Sequence, residues 1–285
     1  GATSGIGEAM VSSFVDLGAT VHALGRNPEK VSAVVDKIRR SRPAADLVEE
    51  VCDVGDLDAV RSWCTDLAGR IGSLHGLVHN AGVMVPDRTE TAQGHELALA
   101  VHVLGPHLMT SLLLPLLEAG SADGGVVVWM SSGGMYSAGL ESSPDGIEYR
   151  VDAAAGSGEY RGIRGYARTK RMQVELVEAW NEQVGPASTS VRIESCHPGW
   201  VATPGVSDSL PGFGRLMGPL LRDPAGGADT AVWLVATRPN SAGTTHFWHD
   251  RALRPTTYPV QRAGDHAARA AFVEYVAAAT ATWGR

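Results

Sequence analysis

The chain has no excess of positive charge: 24 lysines and arginines face 31 aspartates and glutamates, a formal charge of −7. Nucleic-acid binding needs a basic patch or stripe to neutralise phosphates, so no nucleic-acid partner is expected. Cysteine is scarce as well. Cys52, Cys64 and Cys196 are scattered and odd in number, with no pair at metal-ligand spacing and no CxxC. Neither a metal site nor a disulfide framework is expected, but three buried, reduced thiols of a cytoplasmic protein. Long apolar runs are missing too. The longest, Leu108 to Leu117, is broken by Pro115 and is about half of the roughly 20 residues that a membrane span takes. The residues from Gly1 onward show neither the charged start nor the apolar core of a secretion signal.

There is no internal repeat and no low-complexity linker, so residues 1–285 read as a single unit. Short apolar runs alternate with helical stretches, the pattern of βαβ units around a parallel sheet. Strands are predicted at Thr20–Leu24, Leu47–Cys52, Gly76–His79, Gly125–Met130 and Ser190–Cys196. Helices are predicted near Gly7–Leu17, Pro28–Arg40, Leu57–Arg70, Thr91–Glu118, Tyr166–Val184, Gly226–Ala236 and His266–Trp283. The run Gly-Val-Val-Val-Trp-Met at Gly125–Met130 suits a strand covered on both faces. The expected fold class is therefore α/β, a doubly wound parallel sheet with helices on both faces. Two irregular segments, 137–165 and 204–224, hold much of the Gly, Pro and Ser and read as substrate lids, or else as disordered surface segments.

The first residues, Gly1-Ala-Thr-Ser-Gly5-Ile-Gly7, run straight into a helical pattern. Glycines let the backbone approach a pyrophosphate, and the helix N-terminus offers N–H donors and a positive dipole end. The spacing is GxxxGxG, not the GxGxxG of the common dinucleotide fingerprint. About 20 residues on, where an acid would bind the ribose hydroxyls of NAD, stands Gly25, and Arg26 follows it. A guanidinium there suits the 2′-phosphate of NADP. The plainer reading of Arg26 is a solvated cation at a strand end.

Six pieces then occur in one order: Gly1–Gly7, Cys52-Asp-Val54, His79-Asn-Ala-Gly82, Ser131-Ser132, Tyr166-Ala-Arg-Thr-Lys170 and His197-Pro-Gly-Trp-Val-Ala-Thr203. In these the chain resembles, nearly end to end, the short-chain dehydrogenase/reductase family with its Rossmann sheet. Ser131-Ser-Gly-Gly-Met135, Arg171, Trp200 and Gly226-Gly-Ala-Asp-Thr-Ala-Val-Trp233 make it most similar to the member-12-like branch, and more loosely to retinol dehydrogenases. The resemblance implies that Gly1, Ser4, Gly5 and Ile6 hold the pyrophosphate and that Asp53 and Val54 meet the adenine. It places Asn80, Ala81 and Gly82 along the adenosine ribose, and Pro198, Gly199, Val201 and Thr203 on the nicotinamide side. Tyr166 and Lys170 touch the cofactor as well. The implied activity is NADP(H)-dependent interconversion of an alcohol and a carbonyl, with NAD(H) the alternative cofactor.

The chemistry asks for these residue types. Hydride transfer to a carbonyl leaves an alkoxide to be protonated, and a phenol does this only if its pKa of about 10 moves toward neutrality. Tyr166 and Lys170 are spaced i, i+4 on one helix face, so the ammonium is expected to favour phenolate. Ser132, at a strand C-terminal end, would steady the substrate oxygen. Trp200, Leu210, Phe213, Leu216, Met217 and Leu220 point to an apolar substrate, or else to plain packing.

Three departures from the family stand out. His102 replaces the usual Asn that holds a relay water, either as a substitute that titrates near neutrality or as a packed histidine. The stretch from Ser132 to Tyr166 is long. The central strand that the family places ahead of Gly1 is expected upstream in the working protein. Family members pair through helices like Thr91–Glu118 and Tyr166–Val184, so a homodimer or homotetramer is implied. The alternative from another class is a catalytically idle NADP-binding sensor or scaffold. A sugar-nucleotide epimerase fits poorly, since about 80 residues follow Thr203.

Overall fold

Helices begin where a short polar side chain can take a free backbone N–H, and run as long as their apolar stripe. Asn27 accepts from Lys30 N to cap α2 (Pro28–Ser41), which buries Val31, Val34, Val35 and Ile38 at i, i+3, i+4 and i+7. Asp56 caps α3 (Leu57–Arg70) through Asp58 N and Ala59 N, and the buried stripe is Leu57, Val60, Cys64 and Leu67. The computed structural model describes residues 1–122, 124–150, 160–188, 190–202, 221–239, 245–258 and 266–284. In chain order the further elements are α1 (Gly5–Asp16), β1 (Val21–Gly25), β2 (Leu47–Val51), β3 (Gly76–His79), α4 (Leu97–Glu118) and β4 (Val126–Met130). They are followed by α5 (Pro144–Ile147), α6 (Gly162–Ser188), β5 (Arg192–Cys196), α7 (Pro224–Thr237), β6 (Phe247–His249), β7 (Ala252–Leu253) and α8 (His266–Thr280).

All five residues of β4 are buried, as its continuous apolar run requires. The period-2 alternation divides them between two cores. Val127 and Trp129 pack with α3, α4, α6 and α8, while Val126, Val128 and Met130 pack with α1 and α7. Helices therefore cover both faces, the doubly wound α/β arrangement. β3, β4, β5 and β6 pair in parallel in that order, with β7 antiparallel at the edge, and β1 pairs in parallel with β2. β1 and β3 are not paired to each other, and a cavity of about 720 Å³ lies between them, lined by Met10, Phe14, Leu24, Leu77 and Met109 among others. Because β3, β4 and β5 pair in parallel they deliver their C-terminal ends to one side, and the end of β1 at Leu24 and Gly25 faces the same cleft, where open α/β sheets hold ligands.

Some expectations need correction. The helix expected at Thr91 starts at Leu97, because Gly94 adopts φ +82° in a tight turn closed by Thr91 N–His95 O and Gly94 N–Thr91 O bonds. The Glu96 carboxylate then caps the helix through Ala98 N and Leu99 N. α4 also takes one π-helical turn, Ala100–Leu104. At 22 residues, with an 18-residue window of mean hydropathy 1.7, α4 has the length and composition to cross a membrane, more than the run Leu108–Leu117 indicates. Yet 72% of that window is buried inside the fold, in contact with α3 and α6, as in a core helix. Of the predicted lid segments, 151–159 and 204–220 lie outside the described residues, whereas the described part of 137–165 is less irregular than expected, holding α5 and the first residues of α6.

Candidate active site

The glycine loop is built for close approach. A Cβ on Gly7 would stand 1.8 Å from Gly1 O, and Asn80 Nδ2 donates to that same carbonyl at 2.9 Å. The loop is thereby pinned to the turn after β3, and the N-terminus of α1 opens on a cleft of about 440 Å³. Gly1, Ser4, Gly5 and Ile6 line its floor, Asp53 and Val54 one wall, and Asn80, Ala81 and Gly82 the next. Tyr166, Lys170 and Pro198 close the inner end. Of the other positions singled out in the sequence, Gly199 and Val201 lie beside the cleft without lining it, Val201 packing near Ile6 around Gly227. Thr203 is outside the described residues.

At the outer end Gly25 gives way to Arg26, exposed at the cleft rim. The sequence reading missed Lys30, which lines the same rim one turn into α2. Among the described residues neither side chain has a hydrogen-bond or ion-pair partner. The signal for Lys30 was present: four residues after Arg26, behind an Asn-Pro helix start. A helix N-terminus, glycines without side chains and two uncommitted cations have the chemistry to hold the phosphates of a dinucleotide.

At the inner end β4 stops at Met130 and two serines follow. Ser131 is buried and its hydroxyl donates to Lys170 O at 2.9 Å, while Lys170 Nζ donates to Met130 O at 2.7 Å. This reciprocal pair staples α6 to the end of β4. Ser132 caps the short 3₁₀ turn Gly133–Ser137. Burial raises the Tyr166 phenol above its usual range, and a hydrogen bond with Ser132 lowers it in part. Lys170 Nζ lies 5.3 Å from the Tyr166 ring centroid, and burial lowers its own pKa to about 7. The expectation that the ammonium lowers the phenol is thus not met in this state, because burial, acting on both groups, is the larger effect.

His102 is 0% exposed. Its Nε2 accepts from Val83 N at 2.9 Å and its Nδ1 lies 2.7 Å from Thr169 Oγ1. Burial, then the neighbouring charge of Lys170, holds its pKa well below neutrality. The reading of His102 as a group that titrates near pH 7 is corrected on that ground. The three cysteines are free and buried, their thiols pushed up to about 12 chiefly by burial.

A Rossmann sheet with a glycine loop, a Ser132–Tyr166–Lys170 grouping and a cleft between them defines a short-chain dehydrogenase/reductase, and the chain belongs to that family of oxidoreductases. The family model for short chain dehydrogenases matches residues 1–150. Dehydrogenase/reductase SDR family member 12 of Bos taurus is 32% identical over 263 residues, 92% of this chain and 78% of that protein. Polyprenol dehydrogenase of Mus musculus is 38% identical over 124 residues, 44% of this chain and 37% of its own. Among solved structures, 3-ketoacyl-(acyl-carrier-protein) reductase from Brucella melitensis, complexed with NADH, shares the fold. Its TM-score is 0.60 at 23% identity, covering 87% of this chain and 92% of that one.

Proposed function

We propose that the protein is an NADP(H)-dependent oxidoreductase that interconverts an alcohol and a carbonyl, with Tyr166 as general acid/base. The observation that carries this is the pairing of Tyr166 and Lys170 at one end of the cleft, with Ser132, next to the lining residue Ser131 though not itself in the lining, hydrogen-bonded to the phenol. The cofactor supplies or takes up the hydride. Ser132 orients the substrate oxygen and Tyr166 gives or takes its proton. Lys170, stapled to Met130 O, holds the inner end of the cleft and, when protonated, favours the phenolate. The cofactor choice follows from Arg26 and Lys30 at the rim and from the absence of an acid at Gly25.

The substrate is read as apolar. Trp200 and Tyr258, 55% and 50% exposed, are large hydrophobic side chains open to solvent, Tyr258 stacking on Tyr136 four residues beyond Ser132. The similar mouse protein is named for a polyprenol. Buried thiols that remain reduced accord with a cytoplasmic setting.

The test is NADPH binding followed by turnover on a panel of apolar aldehydes, ketones and alcohols. Turnover that Tyr166→Phe abolishes while NADPH still binds supports the reading. Binding without turnover in the unaltered protein overturns it in favour of a sensor or scaffold.

A further inference from the structure

The two nitrogens of His102 reach in opposite directions, one to the cleft wall and one to the catalytic helix. A backbone N–H can only donate, so Nε2 keeps its lone pair toward Val83 and the ring proton sits on Nδ1. Nδ1–H then donates to Thr169 Oγ1. The Thr169 hydroxyl passes its own hydrogen to Tyr166 O at 3.0 Å or Gly165 O at 3.2 Å. The bonds run in one direction: Val83 N–H, imidazole, Thr169 hydroxyl, backbone carbonyl at Tyr166. An imidazolium would aim Nε2–H at the Val83 N–H, so the geometry itself requires the neutral ring.

The surroundings fit this role. A Cβ at Gly82 would stand 3.1 Å from His102 Nε2, so the glycine makes room for the ring. The π-helical turn carries His102 at its centre, and the carbonyl of His102 accepts from Gln173 Nε2 at 2.9 Å. The ring stands edge-on to the Tyr166 ring, with centroids 5.6 Å apart and planes at 87°. Gly82 and Val83 line one side of the cleft and Tyr166 and Lys170 the inner end.

We propose that His102 is a positioning residue: a permanently neutral link that ties the cleft wall at Gly82–Val83 to the Tyr166–Thr169 turn, so that cofactor seat and phenol are held as one unit. Its kinetic consequences rest on the oxidoreductase reading above; its structural consequences do not.

The experiment compares His102→Ala, Thr169→Val, the double variant and Thr169→Ser in the full chain, each normalised to its folded fraction by circular dichroism. The readouts are Val83 amide exchange without cofactor, NADPH Kd by fluorescence, and kcat. His102→Ala is expected to speed Val83 exchange about tenfold or more, since the amide loses its buried acceptor. Both single variants should raise NADPH Kd about fivefold and lower kcat about tenfold, and the double variant should be no worse than His102→Ala, because the links lie in series. Thr169→Ser keeps the hydroxyl and should return all three readouts to within about twofold of the unaltered protein. Unchanged Val83 exchange in His102→Ala overturns the proposal. So do additive losses in the double variant, or a Thr169→Ser as damaged as Thr169→Val. If the unaltered protein turns over no carbonyl, the oxidoreductase reading fails, while exchange and NADPH affinity still decide the role of His102.

Discussion

At the outer end of the cleft Arg26 and Lys30 stand in solvent with no partners among the described residues. At the inner end Lys170 and His102 are buried, each with its hydrogen bonds made inside the protein. The outer end can recognise a charge at little cost, because neither side chain has been taken out of water, but water and salt also weaken the attraction. At the inner end burial sets the protonation: it lowers Lys170 to about 7, raises the Tyr166 phenol and keeps His102 neutral. Specificity for the cofactor is therefore expected to be salt-sensitive and gradual. Chemistry should be all-or-none and insensitive to salt.

Removing the phenol oxygen is the sharpest way to test the inner end. Tyr166→Phe should lower kcat about 10³-fold, the scale of a lost general acid/base, with NADPH Kd changed less than about threefold. A kcat within tenfold of the unaltered protein would show that the proton comes from elsewhere.

Lys170→Met should cost about 10²-fold in kcat and yet stabilise the protein in acid. The sign follows from linkage. A lysine lowered from 10.5 to about 7 binds fewer protons folded than unfolded between those values. Its burial cost is therefore full below pH 7, about 5 kcal/mol, and declines as pH rises toward 10.5. Against this, methionine leaves Met130 O without its donor, at about 1–3 kcal/mol. The variant should melt several degrees higher at pH 6 and within about a degree of the unaltered protein near pH 9. A gain in Tm that grows with pH would contradict the burial of a proton-binding lysine.

How far each end was legible in the sequence follows from how local its interactions are. α3 falls at Leu57–Arg70 as expected because its cap Asp56, its stripe and Arg70 lie within one helix. The i, i+4 pair Tyr166–Lys170 and the Arg26 rim position are local in the same way. His102 was visible as an oddity but not as a link, since its partners Val83 and Thr169 are 19 and 67 residues away. The π-helical turn and the Glu96 cap escaped periodicity because Gly94 breaks the helix before Leu97. The expected lowering of the Tyr166 phenol failed because a spacing shows which charges are near but not how deeply both are buried.

Arg26→Ala tests the outer end and should raise the NADPH KM about 10- to 100-fold, the worth of charge-assisted hydrogen bonds to a phosphate. The NADH KM, which involves no 2′-phosphate, should move less than about twofold. Equal losses with both cofactors would place Arg26 on a phosphate that NAD and NADP share.

Lys30→Ala gives the smallest effect and the cleanest view of the difference between the two ends. Its ammonium is solvated and sits on a flexible stem, so its contribution should match an exposed ion pair, about 0.2–1 kcal/mol, or up to about fivefold in NADPH KM. At 0.5 M salt, where the screening length drops to about 4 Å, the difference between variant and unaltered protein should vanish. The Tyr166→Phe deficit, measured in the same buffers, should not change, because what is lost is a hydroxyl that transfers a proton at contact distance, which salt does not screen. A Lys30 effect that persists in high salt would mean a desolvated contact, and the rim would then have to be redrawn as part of the buried site.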